Sequence, residues 1–300
     1  MLSKICLVLG ICVSLIVCGC GRKTGASLTV AGSTAFQPFA EKLAEQFMAK
    51  RPDVNITVQG GGSALGIQSA RSGAAQIGMA DLVELPPEAR ELLGVTVARD
   101  GIAIIVNPAN ILTNLSLEQI RGIFEGTIKN WNEVGGADHP VRVISREAGS
   151  GTRSSFETII GGITLANAAI IQDSNGTIRE TVANDRDAVG YLSHGLLNEK
   201  VKAVRTDGVE CTEKEIVAGR YKLVRPVFLL IQGLPAGAVK DFIDYILSSE
   251  GQETNPGDEW DPLLEDENRD QEQAGERCES QRHKGPANDS VSGLMHGSRV

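Results

Sequence analysis

The chain has 300 residues, of which 41% are hydrophobic and 22% are charged, and this composition excludes collagen-like, coiled-coil and wholly disordered classes. The formal net charge of −9 argues against nucleic acid as the main partner, because binding to a phosphate backbone needs clustered Lys and Arg. Twelve acidic and five basic residues follow position 252, so the acidity lies in the C-terminal segment and the rest of the chain is nearly neutral. A chain of this length can bury one large core or two medium ones.

The N-terminus predicts an exported lipoprotein. The apolar run Ile5–Cys18 is too short to span a membrane and is typical of a signal-peptide core. Val17–Cys20 (VCGC) resembles a bacterial lipobox, which predicts a signal peptide over residues 1–19, lipid on Cys20 and a tether over 20–27. The alternative is an ordinary secretory signal with an incidental cysteine. Either reading places the mature protein outside the cytoplasmic membrane, in the periplasm or at the outer face of the cell membrane.

The cysteines and histidines predict neither a disulfide framework nor a metal site. Once the signal peptide and Cys20 are set aside, Cys211 and Cys278 remain, with no C-x-x-C pair. The four histidines are scattered along the chain. No cofactor and no metal are expected.

Strand and helix patterns alternate along the chain. Alternating or continuously apolar runs predict strands at Leu28–Ala31, Val54–Gln59, Ile77–Met79, Gly101–Asn107, Val141–Ser145, Ala188–Leu192 and Lys222–Gln232. Helical spacing of apolar residues predicts helices at Phe36–Lys50, Ala64–Ser72, Leu117–Phe124, Ser154–Ile160 and Val239–Leu247. This alternation predicts an α/β fold. Residues 265–300 are acidic with few large apolar side chains, which predicts a disordered tail.

Three loops place small polar residues between a predicted strand and a predicted helix: Gly32–Phe36, Gly60–Ser63 and Arg146–Arg153. The first N–H groups of a helix have no intrahelical partner, and glycines let the backbone approach a ligand closely. Such loops can bind an oxyanion. Each loop alone is better explained as a helix cap and turn, because Ser and Thr are common caps, but three in one chain favour an anion site.

Two charged residues refine this hypothesis. Arg146 offers forked, permanently charged donors that suit a phosphate group, although it could also be a surface arginine. Asp81 ends a buried strand, where a carboxylate would repel an anion unless that anion carries a proton. Hydrogen phosphate carries one and sulfate at neutral pH does not. The alternative for Asp81 is a helix cap or a solvated loop acid.

The segments IFEGTIKNWNEVGG and REAGSGTR, together with AGSTAFQPFAEKLAEQF and VNITVQGGGSALGI, resemble the phosphate-binding lipoproteins of Pst-type ABC transporters. The resemblance extends over most of Leu28–Gln252. It implies a two-lobed type II periplasmic-binding-protein fold, in which each lobe is a sheet flanked by helices and the ligand lies in the cleft between lobes. Lobe 1 would comprise residues 28–106 and 224–264, and lobe 2 residues 107–223.

The resemblance also implies the ligand contacts. Lobe 1 would contribute Thr34, the Ala35 N–H, Ser63 and Asp81; lobe 2 would contribute Arg146, Ser150, the Gly151 N–H and Thr152. The implied partners are inorganic phosphate, the permease subunits of a phosphate ABC transporter and, through lipid on Cys20, the membrane. A monomer is implied as well.

The chain departs from the family pattern in two places. Ala80 stands where a serine is frequent, which would remove one hydroxyl near the site. After Gln252 the segment is polar instead of apolar, although Trp260–Leu263 falls at about the distance of the usual aromatic-x-Pro-Leu ending. The end of the chain is therefore either aberrant, as after a frameshift, or a lineage-specific tail.

Trp131 is expected to pack within lobe 2.

An enzyme is the alternative of a different class. Neither Ser63 nor Ser150 lies in a G-x-S-x-G elbow, and there is no Walker A motif, so we predict no catalytic activity. A receptor for another tetrahedral oxyanion, such as sulfate, molybdate or a phosphonate, remains an alternative within the same class.

Overall fold

A computed structural model describes residues 25–253 and the backbone of residues 261–262. The predictions for the signal peptide, Cys20, most of the tether, Cys278, Trp260 and the tail at 265–300 lie outside the described residues.

The described strands follow one another along the whole chain. In chain order they are β1 Ala26–Gly32, β2 Val54–Gly60, β3 Ile77–Asp81, β4 Leu92–Val106, β5 Asn114–Leu115, β6 Arg142–Arg146, β7 Ile170–Gln172, β8 Ala188–Ser193, β9 Lys202–Ala203, β10 Arg205–Thr206, β11 Val224–Gln232 and β12 Asp261–Pro262.

Helices alternate with these strands. They are α1 Gln37–Lys50, α2 Ser63–Ser72, α3 Leu117–Glu125, α4 Gly151–Ile159, α5 Asn175–Ala183, α6 Glu213–Val217, α7 Gly237–Leu247 and α8 Ser249–Glu253, with 3-10 turns at Pro87–Ala89, Trp131–Val134 and His194–Leu196. Among residues 25–253, no helix has the length and apolar character needed to cross a bilayer.

One long strand, β4, connects two groups of strands. Strands β2, β1 and β3 are parallel, and β11 pairs antiparallel with both β3 and the first part of β4, from Leu92 to Gly101. The second part of β4, from Ile102 to Val106, pairs antiparallel with β8, which continues in parallel to β6 and β7. The two groups therefore share a continuous backbone at the junction Gly101/Ile102.

Each group of strands has its own apolar core. One core draws its buried residues from 28–98 and 227–246 and includes Phe47 and Phe242, whose rings lie 5.3 Å apart. The other draws its residues from 102–223 and includes Trp131, as the sequence predicts. The Trp131 indole N–H donates to the Asp187 carbonyl at 3.1 Å, so its polar atom is paired inside the core.

The α/β class and the predicted elements agree with the structure, with three informative differences. The strand β4 begins at Leu92 instead of Gly101, because its first half carries Arg99, Asp100 and Gly94 and does not read as a continuous apolar run. Helix α4 begins at Gly151 instead of Ser154, since the Ser150 hydroxyl accepts the Arg153 N–H and caps the helix. Helix α5 was not predicted.

Candidate anion-binding site

The polar residues predicted from the sequence meet where the first turns of α2 and α4 approach the ends of β3 and β6. Helix α2 starts at Ser63, helix α4 starts at Gly151, β3 ends at Asp81 and β6 ends at Arg146. Each of these four residues is buried. The three Gly- and Ser-containing loops therefore contribute to one site.

Asp81 lies at the centre of this site and is 2% exposed. The Ser63 hydroxyl donates to its Oδ1 at 2.6 Å, and the Thr152 hydroxyl donates to its Oδ2 at 3.2 Å. The Asp81 N–H in turn donates to the Ser63 Oγ at 3.1 Å. The Asp81 carboxylate thus connects the first turn of α2 with the first turn of α4.

Arg146 lies on the other side of the site and is 1% exposed. Its Nε and Nη2 donate to the two carboxylate oxygens of Glu147 at 2.9 and 2.8 Å, a bidentate pair that fixes the plane of the guanidinium. Its Nη1 is buried and has no hydrogen-bond partner within the described residues. An unpaired, buried, charged donor of this kind suits an anionic ligand.

Thr34 is positioned by two donors, one at the end of β6 and one at the start of α5. Its Oγ1 accepts from Arg146 Nη2 at 3.3 Å and from Asn175 Nδ2 at 3.1 Å. Because a hydroxyl oxygen that accepts two hydrogen bonds directs its own O–H elsewhere, the Thr34 proton is free to point toward a ligand. Asn175 is held in turn by the Ser193 N–H, which donates to its Oδ1 at 3.1 Å.

Glycine is required where α4 approaches α2 most closely. A Cβ on Gly151 would lie 2.1 Å from Ser63 Oγ and 2.6 Å from Asp81 Oδ1. The adjacent loops touch through their backbones, since the Ala64 N–H donates to the Gly149 carbonyl at 3.1 Å. The N–H groups of Gly151 and Thr152 open the helix and lie at its positive end.

Two predicted contacts already have protein partners. The Ala35 N–H donates to the Ser33 hydroxyl at 3.1 Å, in a local turn before α1. The Ser150 hydroxyl accepts the Arg153 N–H at 3.2 Å, which leaves its own proton for another acceptor.

Having alanine instead of serine at position 80 does not remove a hydroxyl partner from the Asp81 carboxylate. Ala80 is fully buried in a small apolar cluster with Ile67 and Leu230. Because side chains alternate along a strand, Ala80 faces away from the side of β3 that carries Asp81. A serine at this position would therefore not replace any contact around the Asp81 carboxylate.

Sequence reasoning missed Arg225, Asp100 and Ser155. Arg225 Nη2 forms ion pairs with Asp81 Oδ2 at 2.7 Å and with Asp100 Oδ2 at 2.6 Å. The Ser155 hydroxyl donates to the Asp81 carbonyl at 3.1 Å and accepts the Val83 N–H at 3.2 Å. A charged residue inside an apolar strand run was the available signal for Arg225, since a buried arginine needs a partner.

The charged side chains of the site do not resemble a metal centre. Within the described part of the chain, no group of three His, Cys, Asp or Glu side chains is arranged to hold a metal ion. The site combines three kinds of donor, namely hydroxyls, helix-terminal N–H groups and two buried arginines, with one central acceptor, the Asp81 carboxylate. This combination suits an oxyanion that carries a proton.

Comparison with known proteins places this arrangement in a class and then in a family. The family model for the PBP superfamily domain matches residues 21–250, so the fold and site define a solute-binding protein of the periplasmic type. The chain is 36% identical over 238 residues to the phosphate-binding protein PstS of Bacillus subtilis, a match that covers 78% of this chain and 79% of that protein. The chain belongs to the PstS family of phosphate-binding proteins, which confirms the resemblance seen in the sequence.

Two solved structures support the same fold. One, from Clostridium perfringens, is described as a phosphate ABC transporter substrate-binding protein with bound phosphate; it has 38% identity, a TM-score of 0.77, and covers 79% of this chain and 100% of its own. The other is an ABC-type phosphate transport receptor from Vibrio cholerae, with 36% identity, a TM-score of 0.65, and coverage of 76% of this chain and 96% of its own. The predicted type II periplasmic-binding-protein fold is thereby confirmed.

Proposed function

We propose that this protein captures inorganic phosphate, as hydrogen phosphate, and delivers it to the permease of an ABC transporter. The observation that carries the proposal is the buried Asp81 carboxylate among hydroxyl donors, with Arg146 close by through Thr34. An anion site built around a carboxylate is favourable only for a ligand that brings a proton to it. Membership of the PstS family supports the same ligand.

The proposed ligand contacts are those that the family resemblance implies. They are the side chains of Thr34, Ser63, Asp81, Arg146, Ser150 and Thr152 and the backbone N–H groups of Ala35 and Gly151. Binding requires a redistribution of protons, because each hydroxyl has one proton to donate. When Asp81 accepts the proton of hydrogen phosphate, Ser63 and Thr152 can turn their own protons from Asp81 to the phosphate oxygens.

Selectivity follows from the charge of Asp81. A sulfate dianion has no proton to offer at neutral pH, so its oxygens would face the carboxylate with like charges buried together. A mismatch of this kind costs about 3 kcal/mol, or more than about a hundredfold in affinity.

We propose that binding is coupled to closure of two lobes, with lobe 1 at residues 28–106 and 224–264 and lobe 2 at 107–223. The two apolar cores and strand β4, which passes from one to the other, support a division into two lobes, although residues 102–106 of the proposed lobe 1 pack in the core of residues 102–223. A ligand held by Asp81 on one side and Arg146 on the other would stabilise the closed form by hinge motion.

The proposal places the protein outside the cytoplasm as a monomeric lipoprotein. Residues 1–19 would be the signal peptide and Cys20 the lipidated residue, which would hold the receptor at the membrane beside its permease. Labelling of cells with a radioactive fatty acid should mark the wild-type protein and not a Cys20→Ala variant. Label on both proteins would contradict lipidation at Cys20.

The proposed activity is binding and release, without chemistry. Calorimetry of the purified protein should detect one phosphate bound tightly, and sulfate bound at least about a hundredfold more weakly. Equal affinity for the two ions, or a preference for sulfate or molybdate, would contradict the proposal. Release of more than one product per protein from a chromogenic phosphate ester would contradict a pure receptor.

A further inference from the structure

Arg225 is a permanently charged residue near the start of β11, a strand that is otherwise mostly apolar. It lies on β11, directly opposite Asp100 on β4. Val227, two residues further along, lies opposite Asp81 on β3. Because alternate residues of a strand share a face, Asp81, Arg225 and Asp100 lie side by side on one face of three adjacent strands.

One nitrogen of Arg225, Nη2, forms the ion pairs with both carboxylates of this group. Arg225 Nη2 lies 2.7 Å from Asp81 Oδ2 and 2.6 Å from Asp100 Oδ2. The far side of Asp100 is held by the Ser193 hydroxyl, which donates to Oδ1 at 2.8 Å. Three buried charges are thus arranged in a row, with Asp81 at the end that belongs to the anion site.

This arrangement is poorly suited to a purely structural role. Arg225 Nε and Nη1 are buried and have no hydrogen-bond partner within the described residues. A buried ion pair contributes little net stability, and packed apolar residues of similar volume often serve as well. A buried arginine with two of its three nitrogens unpaired therefore points to a role in the adjacent site.

We infer that Arg225 and Asp100 determine the oxyanion specificity of the site: Arg225 keeps the Asp81 carboxylate charged and fixed in position, and Asp100 offsets the charge of Arg225. The inference rests on the proposed function, since it assigns a task to residues that support Asp81. Arg225 and Asp100 are positioning residues and need not touch the anion.

The net charge of the group Asp81, Arg225 and Asp100 explains why Asp81 needs both Arg225 and Asp100 beside it. An isolated buried carboxylate favours its neutral form, and a neutral Asp81 would donate a proton instead of accepting one. Arg225 prevents this, but a guanidinium paired with Asp81 alone would leave no excess negative charge to reject sulfate. Asp100 restores one excess negative charge to the group. Burial raises the pKa of Asp100, while the neighbouring Arg225 acts in the opposite direction.

Other charged groups surround the same site and bear on its pH dependence. They are Arg225 from β11, Asp100 from β4, and Arg146 and Glu147 at the end of β6; the buried Tyr221 and Cys211 lie near Asp100 and stay uncharged, because burial raises the pKa of both. A variant of Arg225 leaves every other member of this set in place, so a comparison with the wild-type protein isolates its contribution.

The test is the ratio of phosphate to sulfate affinity, measured by calorimetry between about pH 5.5 and about pH 8 for wild-type and Arg225→Gln proteins. Dividing the ratio of the variant by that of the wild type at each pH removes the titration of phosphate itself. We expect this quotient to fall at least about tenfold from the high to the low end of the range, as Asp81 takes up a proton. Arg225→Lys, which keeps the charge, should follow the wild-type protein.

A quotient close to one at every pH would overturn the inference, because a merely structural arginine would weaken both ions equally. If Arg225→Gln does not fold, the same measurement is made on Asp100→Asn. The phosphate-to-sulfate affinity ratio of this variant should be at least about threefold lower than that of the wild-type protein. An unchanged ratio would overturn the inference. Ser193→Ala removes a neutral donor only and is the matched control. Failure of the proposed function is distinguishable, since the wild-type protein itself would then bind no phosphate.

Discussion

The two sides of the anion site hold their charged residues in opposite ways. On one side Arg146 is paired with the partly exposed Glu147 and keeps one buried nitrogen unpaired. On the other side Asp81 is fully enclosed, and its counter-ion Arg225 is shared with a second carboxylate. Arg146 can therefore attract any oxyanion. Asp81 repels every oxyanion that lacks a proton. Affinity and selectivity are therefore expected to depend on different residues.

The largest effect is expected from Arg146→Ala. The change removes the main positive charge of the site and leaves the Glu147 carboxylate without its bidentate partner, so we expect phosphate affinity to fall by about 3 kcal/mol, or at least about a hundredfold. Sulfate should weaken by a similar factor. Arg142→Ala, on an exposed residue at the start of the same strand, is the control for calorimetry. A loss of less than about threefold would place the anion elsewhere.

A smaller loss is expected from Gly151→Ala. The new Cβ would lie 2.1 Å from Ser63 Oγ, so the first turn of α4 cannot close over Asp81. Overpacking of this kind costs about 2 kcal/mol, which corresponds to about a thirtyfold loss of phosphate affinity.

Gly149→Ala provides the matched control for that steric argument. A Cβ at Gly149 meets the Ala64 Cβ at 3.5 Å, an ordinary van der Waals contact. Phosphate binding by this variant should stay within about threefold of wild type. Equal effects of the two substitutions would show that loop flexibility, and not the close approach at Gly151, limits binding.

The smallest effect is expected from Ser155→Ala. Ser155 ties α4 to the backbone after β3 and touches no proposed ligand group except through Asp81. Its loss leaves the Val83 N–H unpaired, so phosphate and sulfate should both weaken by about 1 kcal/mol, or about fivefold. The exposed neighbour Ser154, changed to alanine, should have no effect. A change in the phosphate-to-sulfate ratio would show that Ser155 contributes to selectivity instead of closure.

The sequence was sufficient to predict the loops that form the site. Glycines and hydroxyl residues between strands and helices are local signals. In the structure Ser63 and Thr152 both contact Asp81, and Thr34 contacts Arg146. Apolar periodicity also predicts most of the strands and helices, because it depends only on residues that are near one another in the sequence.

The supporting residues could not be predicted, because their roles depend on contacts between distant parts of the chain. Arg225 and Asp100 meet only through the antiparallel register of β4 and β11. Asn175 reaches Thr34 only because α5, which sequence patterns did not reveal, starts beside Arg146. The half of β4 that carries Asp100 was not identified as a strand, so its charged residue had no predicted neighbour.

The most direct test of this account is the phosphate-to-sulfate affinity ratio of Asp81→Asn, measured by calorimetry beside the wild-type protein at one neutral pH. An amide keeps the size of the side chain but removes the charge that rejects sulfate. The account predicts that the ratio falls by about a hundredfold, mainly because sulfate binds more tightly. A ratio equal to that of the wild-type protein would contradict the claim that Asp81 recognises the proton of hydrogen phosphate.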